Sequence, residues 1–144
     1  MSRAEVRRAS DPDARAISGL LAELGYPTEE REVRSRLGRL REVAGAEVFV
    51  AERSGQVAGM VAICPTHLLE RDRPSCRVTA LVVRADVRRA GVGAALMEAV
   101  EEEARRQGCF RVEVACRPER EEAHAFYASR GFRERPLRFV KDIL

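Results

Sequence analysis

The sequence predicts an α/β fold in which helices pack on a mixed β-sheet. Two observations carry this prediction: short runs rich in β-branched residues, and longer segments whose apolar residues recur at helical spacing. Their order along the chain is β-α-α-β-β-β-α-β-α-β. Consecutive strands pair as hairpins and strands separated by a helix pair as crossovers, so we expect antiparallel and parallel pairs in one sheet.

The first third of the chain predicts one strand and two helices. The strand covers residues 4–9. Asp11-Pro12-Asp13 then supplies an N-cap and a proline suited to the first position of a helix, which ends at Gly25. Thr28 begins a second helix that runs to Gly45.

The remaining segments predict a hairpin followed by strands and helices. Ser54-Gly55 is a turn between two apolar runs, and Gly59 in the second run indicates a bulge or a close backbone approach. Helices are expected over 91–107 and 118–130. The predicted strands cover 47–52, 57–64, 77–83 and 110–115, with a last one inside 132–143.

Length and composition indicate one globular domain and exclude several other classes. The 144 residues are 45% hydrophobic and 34% charged, which is typical of a folded domain. No apolar run approaches the roughly 20 residues of a membrane helix, and the N-terminus has no signal-peptide pattern. A net charge of +3 is too small to indicate nucleic acid as a partner. We therefore expect a cytoplasmic protein with no nucleic-acid and no membrane partner.

Cysteine and histidine usage argues against a metal site. The chain has four cysteines, none of them in a C-x-x-C pair, and only two histidines. We expect no metal, and we expect the thiols to act as small apolar side chains in or near the core. The cysteines are Cys64, Cys76, Cys109 and Cys116.

The segment that points most directly to a function lies between a strand and a helix. It reads Arg88-Arg89-Ala90-Gly91-Val92-Gly93-Ala94 and follows the apolar Leu81-Val82-Val83. Glycines allow a backbone to approach a phosphate, arginines pair with phosphate oxygens, and a helix N-terminus presents free N–H groups. The pattern predicts a phosphate-binding loop, with an ordinary strand-to-helix turn as the alternative. It lacks the third glycine of a dinucleotide fingerprint and the Gly-Lys-Ser/Thr of a Walker loop.

A second motif lies downstream, and the two motifs together indicate a function more specifically than either does alone. It reads Ala123-His124-Ala125-Phe126-Tyr127-Ala128-Ser129-Arg130-Gly131-Phe132. Taken alone, it predicts a helix with an aromatic face and a glycine at its C-terminus. In this order and at this spacing, the two motifs together resemble those of the GNAT superfamily of acyl-CoA-dependent N-acetyltransferases.

The resemblance covers nearly the whole chain and implies a single N-acetyltransferase domain over residues 1–144. The superfamily pattern (Arg/Gln)-x-x-Gly-x-(Gly/Ala) stands here as Arg88 to Gly93, and the aromatic-Tyr-x-x-x-Gly-Phe ending stands as Phe126 to Phe132. The implied GNAT fold is a mixed, mostly antiparallel sheet of six to seven strands, splayed between the fourth and fifth, with about four flanking helices.

The resemblance also implies how acetyl-CoA is bound as a co-substrate. Backbone groups of Leu81, Val82 and Val83 would hydrogen-bond the pantetheine and polarise the thioester carbonyl. Tyr127 would protonate the departing thiolate, because a phenol stays protonated at neutral pH. For Arg120, a solvated position at a helix start is the alternative to a cofactor contact. The residues implied to wrap the pyrophosphate are Arg88, Arg89, Ala90, Gly91, Val92, Gly93 and Ala94, and the further cofactor contacts are Arg120, His124 and Phe126.

The resemblance does not identify a general base. Many superfamily members carry a carboxylate on the strand before the phosphate loop, where this chain has Thr79 and Ala80. Glu70, Asp72 and Glu113 remain candidates. An amine that loses its proton to water in a desolvated site is another route.

The implied reaction is direct attack of a small-molecule primary amine on acetyl-CoA in a ternary complex, without an acyl-enzyme. Residues 120–127 and 138–141 are similar to the aminoalkylphosphonate N-acetyltransferase branch, whose members differ in substrate. Two alternatives stay open: an acyl-CoA-binding sensor or partner module without turnover, and an acetyltransferase of protein or peptide amines. The acyl length and the oligomeric state stay open too, and the resemblance is compatible with a homodimer.

Overall fold

A computed structural model describes residues 3–88, 90–115, 121–135 and 139–144. Within these ranges five strands form one sheet in the order β1-β2-β3-β4-β5. The first three neighbouring pairs are antiparallel, and β4 pairs with β5 in parallel. The mixed sheet predicted from the order of elements is therefore confirmed, and so is the mostly antiparallel pairing that the family resemblance implies. The strands are β1 (Glu5–Arg8), β2 (Glu47–Arg53), β3 (Gln56–Thr66), β4 (Ser75–Val83) and β5 (Arg111–Val114).

The described part of the chain also has four α-helices: α1 (Ala14–Leu24), α2 (Glu30–Arg41), α3 (Val92–Arg106) and α4 (Glu121–Ser129). A short 3-10 turn over Asp11–Asp13 precedes α1, and its Asp13 carboxylate accepts the Ser10 backbone N–H at 2.8 Å. α1 ends at Gly25, whose φ of +102° glycine adopts without strain. α3 is the crossover that the parallel pair β4–β5 requires.

Apolar side chains cover both faces of the sheet. α3 packs on one face, where Gly59 of β3 approaches Val92 and Leu96. Met60, the next residue of β3, faces the opposite way and belongs to the cluster formed with α1 and α2. Buried members of that cluster are Ala14, Ile17, Leu20, Val33, Leu37, Val50, Met60 and Val82.

The strand count differs from the prediction. Six to seven strands were expected, and the residues that the structure describes form five. The expected last strand is wrong for the described part of 132–143, because neither 132–135 nor 139–144 is in a strand. Its apolar side chains are left exposed, Phe139 by 98% and Val140 by 77%, so no strand in the described ranges covers them. Pro136, in the same stretch of sequence, has no N–H to give to a ladder.

Some boundaries also shift by a few residues. α2 begins at Glu30 because the Glu32 side chain accepts the Glu29 N–H at 3.0 Å, whereas the predicted cap Thr28 turns its hydroxyl to the Tyr26 carbonyl. β3 and β4 are longer than expected, since Thr66 pairs with Ser75. The predicted start of the last helix, 118–120, lies outside the described residues.

The chain divides into two compact units. The first, Met1–Val114, contains the sheet with α1, α2 and α3. The second, Ala115–Leu144, contains α4. That residues 1–144 form a single domain stays a prediction. Across the described ranges, no helix is both long and apolar enough to cross a membrane.

Candidate active site

β4 has a free edge beyond its pairing with β5. Pairing with β5 covers Ser75 to Val78, whereas pairing with β3 continues to Val83. The last five residues of β4 therefore have no strand partner on the β5 side within the described chain. This geometry is consistent with the expected splay between the fourth and fifth strands. The free edge contains the predicted pantetheine contacts Leu81, Val82 and Val83.

A β-bulge lies where this free edge begins. The register between β3 and β4 slips by one residue, so that Thr79 is the extra residue of β4. Thr79 is exposed, and its hydroxyl donates to the Ala62 carbonyl at 3.3 Å. No residue of β4 is Asp or Glu, so this strand supplies no general base.

α3 presents backbone N–H groups at the predicted phosphate loop. Gly91 precedes the helix with a φ of +83°, a conformation that residues with a Cβ adopt only under strain. The first N–H bonded within the helix is that of Ala95, which donates to the Gly91 carbonyl at 3.0 Å. The N–H groups of Val92, Gly93 and Ala94 precede it, and Gly91 has no side chain to cap them. They form the positive end of the helix dipole, which suits a phosphate.

Two residues at the start of the predicted phosphate loop, Arg88 and Ala90, are described by the structure. Arg88 is exposed, and its Nε donates to the Val83 carbonyl at 3.4 Å, so its side chain folds back over the end of β4. Ala90 is exposed, and its N–H donates to the Val87 carbonyl at 3.3 Å. Two predicted site residues, Arg89 and Arg120, lie outside the described residues.

The segment between β4 and the loop is anchored to two other elements. The Ala85 N–H donates to Glu23 Oε1 of α1 at 2.9 Å, and the Arg84 N–H donates to the Ala58 carbonyl of β3 at 2.8 Å. Arg84 also pairs with Asp86 at 2.6 Å, which lowers the pKa of that carboxyl. Sequence reasoning missed Glu23, because no local pattern marks a contact across 62 residues.

Gly59 sets the spacing between the free edge of β4 and the start of α3. A Cβ at this position would lie 3.0 Å from the Val82 carbonyl oxygen and 3.0 Å from Val92 Cγ1. Val82 and Val92 belong to the two predicted halves of the cofactor site. The close backbone approach predicted for Gly59 is confirmed, and it brings these halves together.

The second compact unit holds the predicted proton donor. Tyr127 lies in α4, and its ring centroid is 5.3 Å from that of Phe126 and 5.5 Å from that of Phe132. His124 lies one helical turn earlier, with Nδ1 3.4 Å from Glu134 Oε1. The cofactor and catalytic roles of His124, Phe126 and Tyr127 stay predictions.

The candidate bases lie in two places. Glu70 and Asp72 are exposed in the connection between β3 and β4. Glu113 lies on β5, one residue before the end of its pairing with β4, and contacts Arg111 at 3.4 Å. Of the three, only Glu113 is adjacent to the start of the free edge.

No group of side chains that could hold a metal ion occurs among the residues the structure describes. The described cysteines are free thiols. Cys76 is 2% exposed, and burial raises the pKa of its thiol to about 12, so it is protonated at neutral pH. Cys116 lies outside the described residues.

The family of the protein follows from comparison with known sequences. The sequence model of the acetyltransferase (GNAT) family matches residues 13–132, a span that includes the free edge of β4, the predicted phosphate loop and α4. The chain therefore belongs to this family and is an acetyltransferase, a class of enzyme that uses acetyl-CoA.

Individual relatives agree with this placement. The chain is 29% identical over 141 residues to the aminoalkylphosphonate N-acetyltransferase of Salmonella typhimurium, which covers 96% of this chain and 91% of that protein. A crystal structure of a Trypanosoma brucei acetyltransferase shares 25% identity with a TM-score of 0.82, covering 98% of this chain and 100% of that one. The aminoglycoside N-acetyltransferase AAC(6')-Iy, solved with CoA, shares the fold with a TM-score of 0.85, 18% identity and coverage of 100% and 97%.

Proposed function

We propose that the protein transfers the acetyl group of acetyl-CoA to a primary amine of a small molecule. One observation supports this most directly: the free edge of β4 leads, through an anchored segment, into the uncapped N-terminus of α3. A free strand edge offers backbone donors and acceptors to the amides of pantetheine, and a helix N-terminus suits a pyrophosphate.

In this proposal the backbone holds most of the donor. Leu81, Val82 and Val83 bind the pantetheine and polarise the thioester carbonyl. The glycine at the helix start lets the phosphates approach the N–H groups closely, and guanidinium groups pair with their oxygens. The loop residues in this role are Arg88, Arg89, Ala90, Gly91, Val92, Gly93 and Ala94, with Arg120, His124 and Phe126 as further contacts.

The chemistry needs a neutral amine, a thioester and a proton donor. The amine nitrogen attacks the thioester carbonyl, the C–N bond forms, and the C–S bond breaks with its electron pair leaving on sulfur. Tyr127 donates its phenolic proton to that thiolate, the proton lost by the amine passes to solvent, and the tyrosinate takes a proton back from solvent. Holding both reactants in one site supplies much of the rate increase.

A small molecule is the proposed acceptor. The Salmonella relative, which is similar over nearly its whole length, is named for a small amine substrate. In this chain α1, α2 and the connection between β3 and β4 would shape the acceptor pocket, and such connections are where specificity varies most freely.

The absence of a carboxylate from β4 favours a second candidate, a module that binds acyl-CoA without turnover. Thiol release from acetyl-CoA, measured with a panel of small amines and peptides, separates the two. Steady release that depends on a small amine supports the enzyme. Binding of CoA without release for any amine supports the module, and release with peptides alone moves the acceptor to proteins.

A further inference from the structure

A short turn leads into the predicted phosphate loop, and its own residues do not cap it. Ala85–Val87 form a 3-10 turn between β4 and Arg88, and the Val87 N–H donates to the Arg84 carbonyl at 3.1 Å. The Ala85 N–H is one of the donors that the start of such a turn leaves without an internal partner. Arg84 stands at the capping position, but a guanidinium has no acceptor to offer. The turn therefore needs an acceptor from another element.

That acceptor is a carboxylate on α1. Glu23 Oε1 accepts the Ala85 N–H at 2.9 Å, across 62 residues of sequence. A side-chain oxygen at a cap position satisfies one of the first free N–H groups of a helix, and a hydrogen bond to an ionised acceptor is stronger than one to a neutral acceptor. Glu23 thus caps this turn from a distant helix, as Ser or Asp caps an ordinary helix from the residue before it.

α1 supports this contact because the helix is fixed on the sheet. Its buried Ile17 and Leu20 belong to the apolar cluster that includes Val82 of β4. Arg84, which follows β4, is held by the bond from its N–H to the Ala58 carbonyl at 2.8 Å. The bond from Ala85 to α1 continues this support beyond the end of the sheet, towards the predicted phosphate loop.

The charges around the turn favour the same contact. The Asp86 carboxylate accepts a hydrogen bond from the Arg84 guanidinium at 2.6 Å and raises the pKa of Arg84, and the negative charge of Glu23 adds to this effect. The guanidinium therefore lies near two carboxylates, one on its own segment and one on α1. Its positive charge attracts the Glu23 carboxylate to the side of the turn where the Ala85 N–H is free.

The position of Glu23 is unfavourable for α1 itself. Glu23 is the next-to-last residue of the helix, where the dipole places partial negative charge. The last turn, Leu21-Ala22-Glu23-Leu24, contains no basic residue to offset the added charge. Alanine is also a better helix former than glutamate. A stabilising role within α1 therefore does not explain this residue, whereas its contact with Ala85 does.

We propose that Glu23 is a positioning residue for coenzyme A, and that its carboxylate holds the turn at Ala85 so that the predicted phosphate loop is preformed before the cofactor binds. The proposal rests on the proposed binding of acetyl-CoA and adds a residue of α1 that determines its strength. A loop already in its binding conformation has less conformational freedom to lose, which raises affinity. In this role Glu23 acts through the backbone of the loop and not on the thioester.

Two substitutions of Glu23 test this role. We expect Glu23→Ala to weaken CoA binding in calorimetry and to raise KM for acetyl-CoA by about fivefold, the equivalent of one lost helix cap, while kcat stays unchanged. Glu23→Gln keeps an oxygen that accepts the Ala85 N–H, so it should recover most of the affinity. The midpoint of urea unfolding should stay close to that of the wild type in Glu23→Ala, because alanine suits the end of α1 better than glutamate.

Glu42→Ala is the matched control. Glu42 is likewise an exposed glutamate at the C-terminal end of a helix, α2, and its carboxylate has no hydrogen-bond partner among the described residues. We expect its CoA affinity to equal that of the wild type. Amide hydrogen exchange adds a readout that needs no cofactor: residues 85–88 should exchange about fivefold faster in Glu23→Ala than in the wild type or in Glu42→Ala.

Each outcome decides between the proposals. Equal CoA affinity, or equal exchange of residues 85–88, in the wild type and Glu23→Ala overturns the role of Glu23 and leaves acetyl transfer intact. A loss of affinity together with a fall in the urea midpoint assigns Glu23 to overall stability and overturns the role as well. If the wild type binds no CoA, the proposed function fails and the role of Glu23 fails with it. Weaker binding in Glu23→Ala with an unchanged midpoint, recovered in Glu23→Gln, supports the proposal.

Discussion

The ring of Phe132 packs against the ring of Tyr127, with the two planes inclined by 65°. A helix ending creates this contact. Gly131 adopts a φ of +89°, the Phe132 N–H donates to the Tyr127 carbonyl at 3.0 Å, and the Gly131 N–H donates to the Ala128 carbonyl at 3.1 Å. These are the bonds of a Schellman ending, in which the residue after the glycine packs on the last turn. The glycine and phenylalanine of the motif therefore orient the tyrosine.

Tyr127→Phe tests the proton donor with the least change in shape. The variant keeps the ring and its contact with Phe132 but loses the phenolic proton, so we expect kcat to fall by about a hundredfold. Affinity for acetyl-CoA should stay within a few-fold, because the phenol acts on the thiolate that forms late. Steady-state rates and calorimetry measure the two quantities.

Ser129→Ala is the matched control for Tyr127→Phe. It removes a hydroxyl from the same helix, one that donates to the Phe126 carbonyl at 2.6 Å on the exposed surface. We expect both kcat and affinity to match the wild type. Full activity in Tyr127→Phe would assign the proton transfer to another group or to solvent.

Gly91→Glu tests the phosphate loop. The glutamate places a negative charge beside the N–H groups of Val92, Gly93 and Ala94 and adds a Cβ where φ is +83°. We expect CoA binding to be lost in calorimetry. Gly91→Ala adds the strain without the charge, at a cost of about 1 to 3 kcal/mol, and should weaken binding less.

Gly38→Ala is the control for the glycine substitutions. Gly38 lies within α2 without a positive φ, and a Cβ there meets nothing within 4 Å. CoA affinity should equal that of the wild type. A wild-type affinity in Gly91→Glu as well would contradict the assignment of the loop.

Local sequence patterns predicted the helix ends of the candidate site, whereas the positions of its strand residues depend on pairing between strands that are distant in the sequence. The roles of Gly91 and Gly131 can be predicted from the sequence. Gly91 stands at the start of a helix and Gly131 at the end of one, and both have a positive φ at which a residue with a Cβ would be strained. The bulge at Thr79 and the pairing of Arg77 with Glu113 depend on strand register, which no local pattern specifies. The expected final strand is wrong for the complementary reason: Phe139 and Val140 have the composition of a strand, but they are exposed and pair with no strand of the described sheet.

Gly59→Ala tests the spacing between β4 and α3. The new Cβ would be 3.0 Å from the Val82 carbonyl and from Val92 Cγ1, so the first turn of α3 must shift by a few tenths of an ångström. We expect the free energy of unfolding to fall by about 1 to 3 kcal/mol, as for other overpacked sites. KM for acetyl-CoA should rise several-fold while kcat changes little, because the shift moves the phosphate loop.

A second substitution distinguishes a change in the spacing between β4 and α3 from a general loss of stability. Val92→Ala removes the side chain that the new methyl group meets, so the double variant Gly59→Ala/Val92→Ala should recover part of the lost CoA affinity. Kinetics and calorimetry on the single and double variants form the required cycle. If the losses of CoA affinity caused by the two single substitutions add up in the double variant, contact with Val92 does not determine the position of the loop.

Acid unfolding should depend on Asp13 at the start of α1. Its carboxylate is 7% exposed and accepts N–H groups from Arg7 at 2.8 and 2.9 Å and from Ser10 at 2.8 Å. The Arg7 hydrogen bonds hold the pKa of Asp13 below its ordinary value of 3.8. A carboxyl with a lowered pKa in the folded state contributes stability above pH 3.8, and this contribution is lost as the pH falls through that value and below it.

Asp13→Asn removes this contribution and therefore the pH dependence that comes with it. At pH 7 we expect the free energy of unfolding in urea to fall by about 1 to 3 kcal/mol, since Arg7 loses a charged partner. The difference in free energy of unfolding between the wild type and the variant should become smaller at pH 3, because protonation of Asp13 destabilises the wild type there as well. Asp11→Asn is the matched control: its carboxylate is 56% exposed and pairs with Arg41 on the surface, so the change should be within about 1 kcal/mol. If the difference in free energy of unfolding between Asp13→Asn and the wild type stays constant from pH 7 to pH 3, the ion pair with Arg7 does not stabilise the start of α1.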